Sequence, residues 1–413
     1  MRLKTLPKGF LSLVLLYLVY EPAITQLLLG VHFYYVNIAV VSVLLALRLI
    51  ETGSIKIEKR IVNFSLIIFA CSIYTLLITA LNQQEIRFFQ HFYVIIEILS
   101  IYLLYTYIAK YYDDSGRVCL DVLKTVVVLE AIFVLLMFLL PAFKQFGVNL
   151  YYAENSAEIN YYVVSKRIYG IFGDYTFKCQ VFNGMLSFFF LFCSYLKKES
   201  GLLICSVLSL FISVVNGRTG LLILIVITIE FLGLQLIMNK GQLTKVIKIA
   251  VLGIAGSVVV LLLVRKFNPD TYEFVINMFN AFLGLETNGD NNLVVLKESM
   301  SFPTGLGLIL GEGVTIYTGV NRTDIGYCND VYLVGVIVTA IEYISVIALL
   351  KVRSRLPEAK IYNICMTTGL LVTNIKGVCM RSGTIIVGLL WLRIIMENSI
   401  LPELRMRAIG KDN

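Results

Sequence analysis

The sequence predicts an all-α polytopic membrane protein. Of its 413 residues, 58% are hydrophobic and only 15% are charged, whereas soluble domains carry roughly a quarter charged residues. The mean hydropathy is +0.83. Apolar stretches of about 20 residues, the length that crosses the hydrocarbon core, recur along the chain. Because no intervening stretch is polar enough to fold as a soluble unit, residues 1–413 are predicted to form one integral membrane domain.

About twelve apolar stretches are predicted to be transmembrane helices. They cover residues 10–29, 32–50, 61–81, 88–109, 119–140, 177–196, 201–216, 219–238, 246–264, 330–350, 360–376 and 384–400. They leave two long loops on the same side, residues 141–176 and residues 265–329. Loops of this length in a compact protein are usually functional.

The basic residues predict the orientation of the chain. Most of them lie in the short loops and tails that share a side with the N-terminus, as they do on the cytoplasmic side of membrane proteins. With an even number of spans, both termini are then cytoplasmic and both long loops lie outside. The net charge of +8 is therefore explained by topology and does not indicate nucleic-acid binding.

Cysteine and histidine usage is sparse. The eight cysteines show no metal-ligand spacing, and most are interpreted as small buried hydrophobes. A disulfide between Cys179 and Cys328, which share a predicted side, remains open. Of the two histidines, His91 is interpreted as an interface residue.

Cations from five separate segments are predicted to reach the outer face. They are Lys166 with Arg167, Lys178, Arg218, Arg322, and Lys376 with Arg381. Arginine binds phosphate in a two-pronged fashion, so these side chains indicate a site for a diphosphate. The alternative is that they snorkel to lipid headgroups. Arg218 favours a site, because it lies in the tight turn Asn216–Gly220 between two apolar spans, where an unpaired charge is costly.

Acidic and glycine-rich motifs precede the tenth span. Asp324 could orient or deprotonate a sugar hydroxyl, or the segment could simply cap the helix through Thr323, Asp324 or Asn329; both interpretations stay open, and Asp330 is interpreted as structural. The Gly305–Gly313 segment follows no strand, so it is predicted to be a close-packed loop returning to the bundle and not a nucleotide-binding loop.

Several of these motifs, taken in order, resemble those of a known family. Arg167–Gly173 (RIYGIFG), Asn216–Gly220 (NGRTG), the Gly305–Gly313 loop and Thr323–Tyr327 (TDIGY) follow the order seen in bacterial O-antigen and capsule repeat-unit polymerases of the Wzy type. The resemblance covers roughly residues 165–345, and the number of predicted spans in the rest of the chain also fits the family.

The resemblance implies a GT-C-like glycosyltransferase of the bacterial inner membrane. It would polymerise undecaprenyl-diphosphate-linked oligosaccharide repeat units at the periplasmic face, without a metal or other cofactor, with membrane lipids and a chain-length regulator as partners. The implied catalytic residues are Arg218, Asp324 and Arg167. The implied substrate-binding residues are Arg322, Arg381, Lys178, Tyr169 and Tyr327.

Two other functions stay open. The related O-antigen ligases usually carry a histidine in their second long loop, and residues 265–329 contain none, which favours a polymerase over a ligase or another lipid-linked glycosyltransferase. A flippase for lipid-linked oligosaccharides would place its cations at mid-membrane and would show related halves.

Overall fold

The computed structural model of the chain describes residues 6–53, 57–153, 167–173, 176–217, 219–238, 300–315 and 323–409, with scattered helical residues between 251 and 280. No strand occurs in these ranges. Arg218, Arg322, Lys166, much of the ninth predicted span and most of the loop 265–329 lie outside them.

Fifteen helices are named here in chain order. They are α1 (Lys8–Tyr20), α2 (Ile24–Leu29), α3 (Phe33–Thr52), α4 (Lys59–Leu81), α5 (Phe88–Tyr111), α6 (Ser115–Leu139), α7 (Pro141–Tyr152) and α8 (Thr176–Lys197). They continue with α9 (Ser200–Asn216), α10 (Thr219–Met238), α11 (Leu306–Leu310), α12 (Gly326–Leu350), α13 (Pro357–Thr373), α14 (Gly383–Ile395) and α15 (Leu401–Ile409), with a π-turn (Met396–Ile400) joining the last two.

Eight helical stretches in the described part are long and apolar enough to cross a membrane. They include α3, α4, α5, α6, α8, α10 and α12, and the run Gly383–Met406. In the described part of the chain, the predicted all-helical architecture is confirmed, and these stretches are compatible with the predicted polytopic membrane protein. The number of twelve spans stays a prediction.

The helices α8 and α14 form the centre of the bundle. In each, 83% of the apolar window is buried, against 18% in α3 at the periphery. Apart from Thr384 and Arg393, helix α14 carries only apolar residues and glycine, a pattern typical of a buried helix. Helix α8 fills the core with phenylalanines such as Phe182, Phe188 and Phe189, so the first turns of α8 are held in a rigid centre.

The first predicted span, residues 10–29, is not one continuous helix. Helix α1 ends at Tyr20, and Glu21 has the left-handed φ of 46°. Pro22 follows directly, and the residue before a proline is disfavoured in helical conformation. The break admits another segment, because the Gly173 N–H donates to the Tyr20 carbonyl oxygen at 3.0 Å.

Helix α12 is also broken, at Gly335 (φ 75°, ψ 166°), a conformation essentially restricted to glycine. The loop around α11 packs into the break. The backbone N–H groups of Glu312 and Gly313 donate to the carbonyls of Tyr332 and Leu333, at 2.7 and 3.2 Å. The prediction of a glycine-rich loop that returns to the bundle is confirmed.

Segments predicted to share the cytoplasmic side meet at one end of the bundle. Lys8 pairs with Asp121 at 2.7 Å, Lys197 with Glu403 at 2.7 Å, and Arg60 with Glu397 at 3.0 Å. These pairs join chain regions far apart in sequence and agree with the predicted order of the spans. Which side of the membrane this end faces stays a prediction.

Candidate functional site

At the opposite end of the bundle, the segment Arg167–Gly173 is docked by its backbone. The Ile168 N–H donates to the carbonyl oxygen of Val215, in the last turn of α9, at 3.3 Å. Gly170 has a φ of 66°, and a Cβ there would lie 2.2 Å from Oε1 of Glu130 on α6. Only glycine at position 170 permits this backbone conformation and this close approach to α6. The hydrogen bond of Ile168 places the half-buried Arg167 next to the end of α9.

Tyr169 lies inside this docked segment and is fully buried. Its ring centre is 5.4 Å from that of Tyr151, and its hydroxyl donates to the Gly147 carbonyl oxygen at 3.5 Å. Burial, with Tyr151 and Tyr152 nearby, raises the pKa of the Tyr169 phenol, so it stays protonated. These contacts are those of a core residue, and its predicted role in substrate binding stays a prediction.

The turn Asn216–Gly220 packs against the first turns of α8. Oε1 of Gln180 accepts a hydrogen bond from the Thr219 N–H at 3.0 Å, and the Ser213 hydroxyl donates to the Gln180 carbonyl oxygen at 2.8 Å. A Cβ on Gly217 would come within 2.3 Å of Oε1 of Gln180. The two neighbours of Arg218 are thus fixed, although Arg218 itself lies outside the described residues.

Helix α8 connects this turn to the other predicted cations. Half-buried Lys178 lies in its first turn, and the segment that carries Arg167 is hydrogen-bonded to the last turn of α9, which leads directly into the Asn216–Gly220 turn. On the other side, a Cβ on Gly377 would lie 2.4 Å from the ring of Phe177. The start of α8 therefore touches the turn that carries Arg218 and the segment that carries Arg381.

Arg381 binds a fully buried carboxylate. Its Nε donates to Oδ1 of Asp330 at 2.7 Å, and its Nη2 donates to the same oxygen. The other oxygen, Oδ2, accepts from Asn374 Nδ2 at 3.2 Å and from the Tyr343 hydroxyl. The interpretation of Asp330 as structural agrees with this network, whereas its pairing with Arg381 was not foreseen.

Asn374 also shapes the loop that carries Arg381. Its Oδ1 accepts the N–H of Cys379 at 2.8 Å and that of Met380 at 3.3 Å. One amide thus holds both the loop backbone and Asp330. The position of Arg381 therefore depends on that side chain.

Asp324 lies at the surface beside this cluster. It is exposed, and its Oδ2 is 3.4 Å from Nζ of Lys376. The hydroxyl of Thr323, and not the carboxylate of Asp324, accepts the Ile325 N–H at 3.1 Å. The contacts therefore argue against a helix-capping role for Asp324.

Tyr327 joins two helices near the same surface. Its hydroxyl donates to the Leu371 carbonyl oxygen at 2.7 Å, which ties α12 to α13. The side chain is half-buried, with one edge near the ring of Tyr343. Its predicted contact with substrate stays a prediction.

His91 is buried between helices, in contrast to the interface position that the sequence predicts. Its Nε2 lies 2.5 Å from Oε1 of Glu342, and both side chains are almost completely buried. Oγ1 of Thr75 is 3.4 Å from Nδ1. Together with Thr75, the pair links α4, α5 and α12, and Glu342 lies in the part of α12 that follows the break at Gly335. An acid inside an apolar span needs a polar partner. Glu342 and Glu130 could therefore have indicated, from the sequence alone, that buried polar contacts form at these positions.

The other features of the molecule offer weaker sites. A cavity of about 670 Å³ opens at the opposite end, but the cations that line it include Lys124 and Lys197, which pair with Glu199 and Glu403. The eight cysteines are free and buried, so Cys179 and Cys328 are not joined. Within the described ranges, no three His, Cys, Asp or Glu side chains stand together as metal ligands would.

In the part of the chain that the structure describes, these features define a helical bundle suited to a membrane, with an irregular polar region at one end. Neither a protein-family model, nor a curated protein, nor a solved structure matches the chain. Its function must therefore be argued from the site.

Proposed function

We propose that the protein polymerises polyprenyl-diphosphate-linked oligosaccharide repeat units at the periplasmic face of a bacterial inner membrane, as a GT-C-like enzyme of about twelve spans. One observation carries the proposal. Lys178 lies in the first turn of α8, both neighbours of Arg218 pack against the start of that helix, and the segment bearing Arg167 is hydrogen-bonded to the adjoining end of α9. Such a convergence is what a diphosphate site needs, because one pyrophosphate must meet several cations at once.

The chemistry follows from where charge develops. The hydroxyl of the incoming unit attacks the anomeric carbon of the growing chain, the bond from that carbon to the diphosphate oxygen breaks, and the electron pair stays on the departing polyprenyl diphosphate. Fixed guanidinium groups stabilise that growing charge more in the transition state than in the ground state. In this proposal Arg167 and Arg218 hold the diphosphate.

The proton of the attacking hydroxyl needs an acceptor. Asp324 is the acid of the motif whose carboxylate is exposed, so an incoming sugar can reach it without moving the core. We assign it the role of orienting and deprotonating that hydroxyl. Arg381, whose charge is balanced by Asp330, fits a role in holding the site together better than one in gripping phosphate.

The proposal is tested by the surface polysaccharide of a strain that lacks the native gene and carries variants of this chain. Arg167→Ala and Arg218→Ala should lower polymer formation by about 10²-fold or more, the usual cost of losing one transition-state contact. Single repeat units should then accumulate on the lipid carrier. Arg218→Lys should rescue poorly, because a point charge lacks the two-pronged geometry of arginine.

Arg405→Ala is the matched control. Arg405 lies at the opposite end of the bundle, exposed, with a hydrogen bond to Ser354. Its loss should leave the ladder of chain lengths unchanged. Normal ladders in both Arg167→Ala and Arg218→Ala, at normal protein abundance, would refute the diphosphate site.

A flippase is the second candidate, and one observation favours it. Broken helices and buried titratable pairs are common in transporters; α12 is broken at Gly335, and the same helix carries Glu342, which pairs with His91. The deletion strain separates the two functions. A polymerase deletion leaves single repeat units at the cell surface, whereas a flippase deletion leaves none there.

A further inference from the structure

The loop around α11 contacts α4 and α12 well away from the ends of these helices and exposes apolar side chains. We propose that residues 301–313 form a re-entrant hairpin, which enters the bilayer from the end that carries the candidate site and lies against lipid acyl chains. The inference goes beyond the proposed function, because insertion into lipid does not depend on any reaction.

The contacts with α4 show how far the hairpin reaches. The Tyr74 hydroxyl donates to the Leu310 carbonyl oxygen at 2.6 Å, and Tyr74 lies seven residues before the end of α4 at Leu81. At 1.5 Å per residue, the hairpin tip is about 10 Å below that end. Gly313 lies nearer the end of α4, beside Ile78 and Thr79, because a Cβ on Gly313 would be 3.0 Å from their backbone.

The contacts with α12 give the same depth independently. Gly335 lies nine residues after the start of α12 at Gly326, which is about 13 Å along a helix. A Cβ on Gly335 would lie 2.2 Å from the Ile309 carbonyl oxygen and 2.6 Å from the Gly311 nitrogen. The hairpin tip therefore meets the break in α12 well below the helix end.

Backbone hydrogen bonds make an irregular segment tolerable at this depth. The break in α12 releases carbonyl groups that an unbroken helix would use. The hairpin supplies donors to two of them, through Glu312 and Gly313, and the Gly311 N–H donates to Gly307 at 2.8 Å. Non-helical backbone within a membrane persists only where such partners satisfy it, so the break and the hairpin explain one another.

The side chains of the hairpin match a lipid environment. Five large apolar residues are exposed: Phe302, Leu306, Leu308, Ile309 and Leu310, with 74% exposure at Leu306. The neighbouring outward faces of α4 and α12 are equally apolar, with Leu77 and Ile344 exposed. An apolar surface continuous with the flanks of membrane helices is expected to face acyl chains.

Glu312 is the single charged residue between 300 and 315. It is half-buried, and a Cβ on Gly307 would lie 2.8 Å from its Oε1. The carboxylate thus folds back onto the hairpin's own backbone and leaves the exposed face without a charge. This arrangement lowers the cost of carrying an acid near lipid.

The single tryptophan of the chain makes a direct test practical. Trp391 is fully buried, so neither an aqueous nor a lipid-borne quencher should reach it in the wild-type protein. Leu306→Trp is made in the full chain and reconstituted in brominated phosphatidylcholine, then titrated with iodide. Ile344→Trp serves as the lipid-facing control and Gln84→Trp, on the exposed turn after α4, as the aqueous control. Phe302→Trp repeats the measurement with a smaller change of shape.

Brominated lipid should quench Leu306→Trp within about a factor of two of Ile344→Trp, and iodide should leave it nearly untouched. Iodide quenching equal to that of Gln84→Trp would overturn the proposal. Resistance to both quenchers would also overturn it, because the hairpin would then be covered by protein. Both readouts are independent of polysaccharide synthesis, so failure here leaves the proposed function to its own test.

Discussion

Two buried arginines, one at each end of the bundle, are held in different ways. Arg393, on α14, donates from Nη2 to both oxygens of Glu58 at 2.7 and 2.9 Å, from Nε to Glu397 at 3.2 Å, and from Nη1 to the Leu349 carbonyl oxygen at 2.9 Å. Arg381, at the other end, directs Nε and Nη2 to a single oxygen of Asp330. One arginine organises several acids, whereas the other is one of several donors around one acid.

The comparison separates a structural clamp from a site. Around Arg393, the donors and acceptors of α4, α12 and α14 pair within the protein, which fixes the helix ends. At the other end Asp330 holds Arg381, Tyr343 and Asn374, and exposed groups such as Asp324 surround the cluster. The clamp should therefore govern stability, and the surroundings of Asp330 should govern activity.

The largest expected effect is on the clamp. Arg393→Ala leaves the carboxylates of Glu58 and Glu397 together without their shared cation. Breaking a buried pair in this way costs about 3–5 kcal/mol of unfolding free energy, and the partial exposure of Glu58 favours the lower value. Denaturant unfolding in detergent, followed by the fluorescence of Trp391, measures the change. A loss as small as that of Arg405→Ala would remove the distinction between the ends.

The next effect is at Asp330. Asp330→Asn keeps the shape but removes the charge that balances Arg381, at a cost of about 2 kcal/mol for charge-assisted hydrogen bonds. The same unfolding assay measures it. Activity should fall more than stability predicts, because Arg381 and the loop that carries it lose their anchor. An Asp330→Asn protein that is less stable yet fully active would show that the cluster is only structural.

The sequence alone places the helices well and their irregularities poorly. The predicted span 219–238 coincides with α10, since a long apolar run needs no tertiary information. The break at Glu21 was signalled by Pro22, but the break at Gly335 was not, because a glycine in an apolar run also suits close helix packing. A single chain cannot reveal that a hairpin would fill that gap.

The candidate site was predictable in part for the same reason. The motifs carrying Arg167 and Arg218 lie in irregular backbone, and local composition marks such turns. The pairing of Asp330 with Arg381, separated by 51 residues, depends on how helices pack, and so does the burial of Tyr169. Tertiary contacts decide these features, and no local pattern encodes them.

A smaller loss of stability is expected at the break at Gly335. Gly335→Ala forces a Cβ into a conformation reserved for glycine and toward the Ile309 carbonyl oxygen, at a cost of about 1–3 kcal/mol. Gly233→Ala, in α10 with open space around it, is the control and should be neutral or stabilising. Thermal unfolding compares the two. Equal behaviour of the pair would mean that the break and its hairpin contribute nothing to the fold.

The smallest expected effect on stability separates structure from function most sharply. Lys376→Ala removes the exposed partner of Asp324, and an exposed ion pair at 3.4 Å contributes no more than about 0.5 kcal/mol. Asp324→Asn should be equally silent in unfolding, since the carboxylate forms no helix cap. If Asp324 takes the acceptor proton, Asp324→Asn abolishes polymer formation while Lys376→Ala retains it, because only the carboxylate oxygen is needed. Polysaccharide gels for both variants, at matched protein abundance, measure this difference. Full activity of Asp324→Asn would exclude Asp324 as the proton acceptor and would indicate that one of the buried carboxylates takes that role.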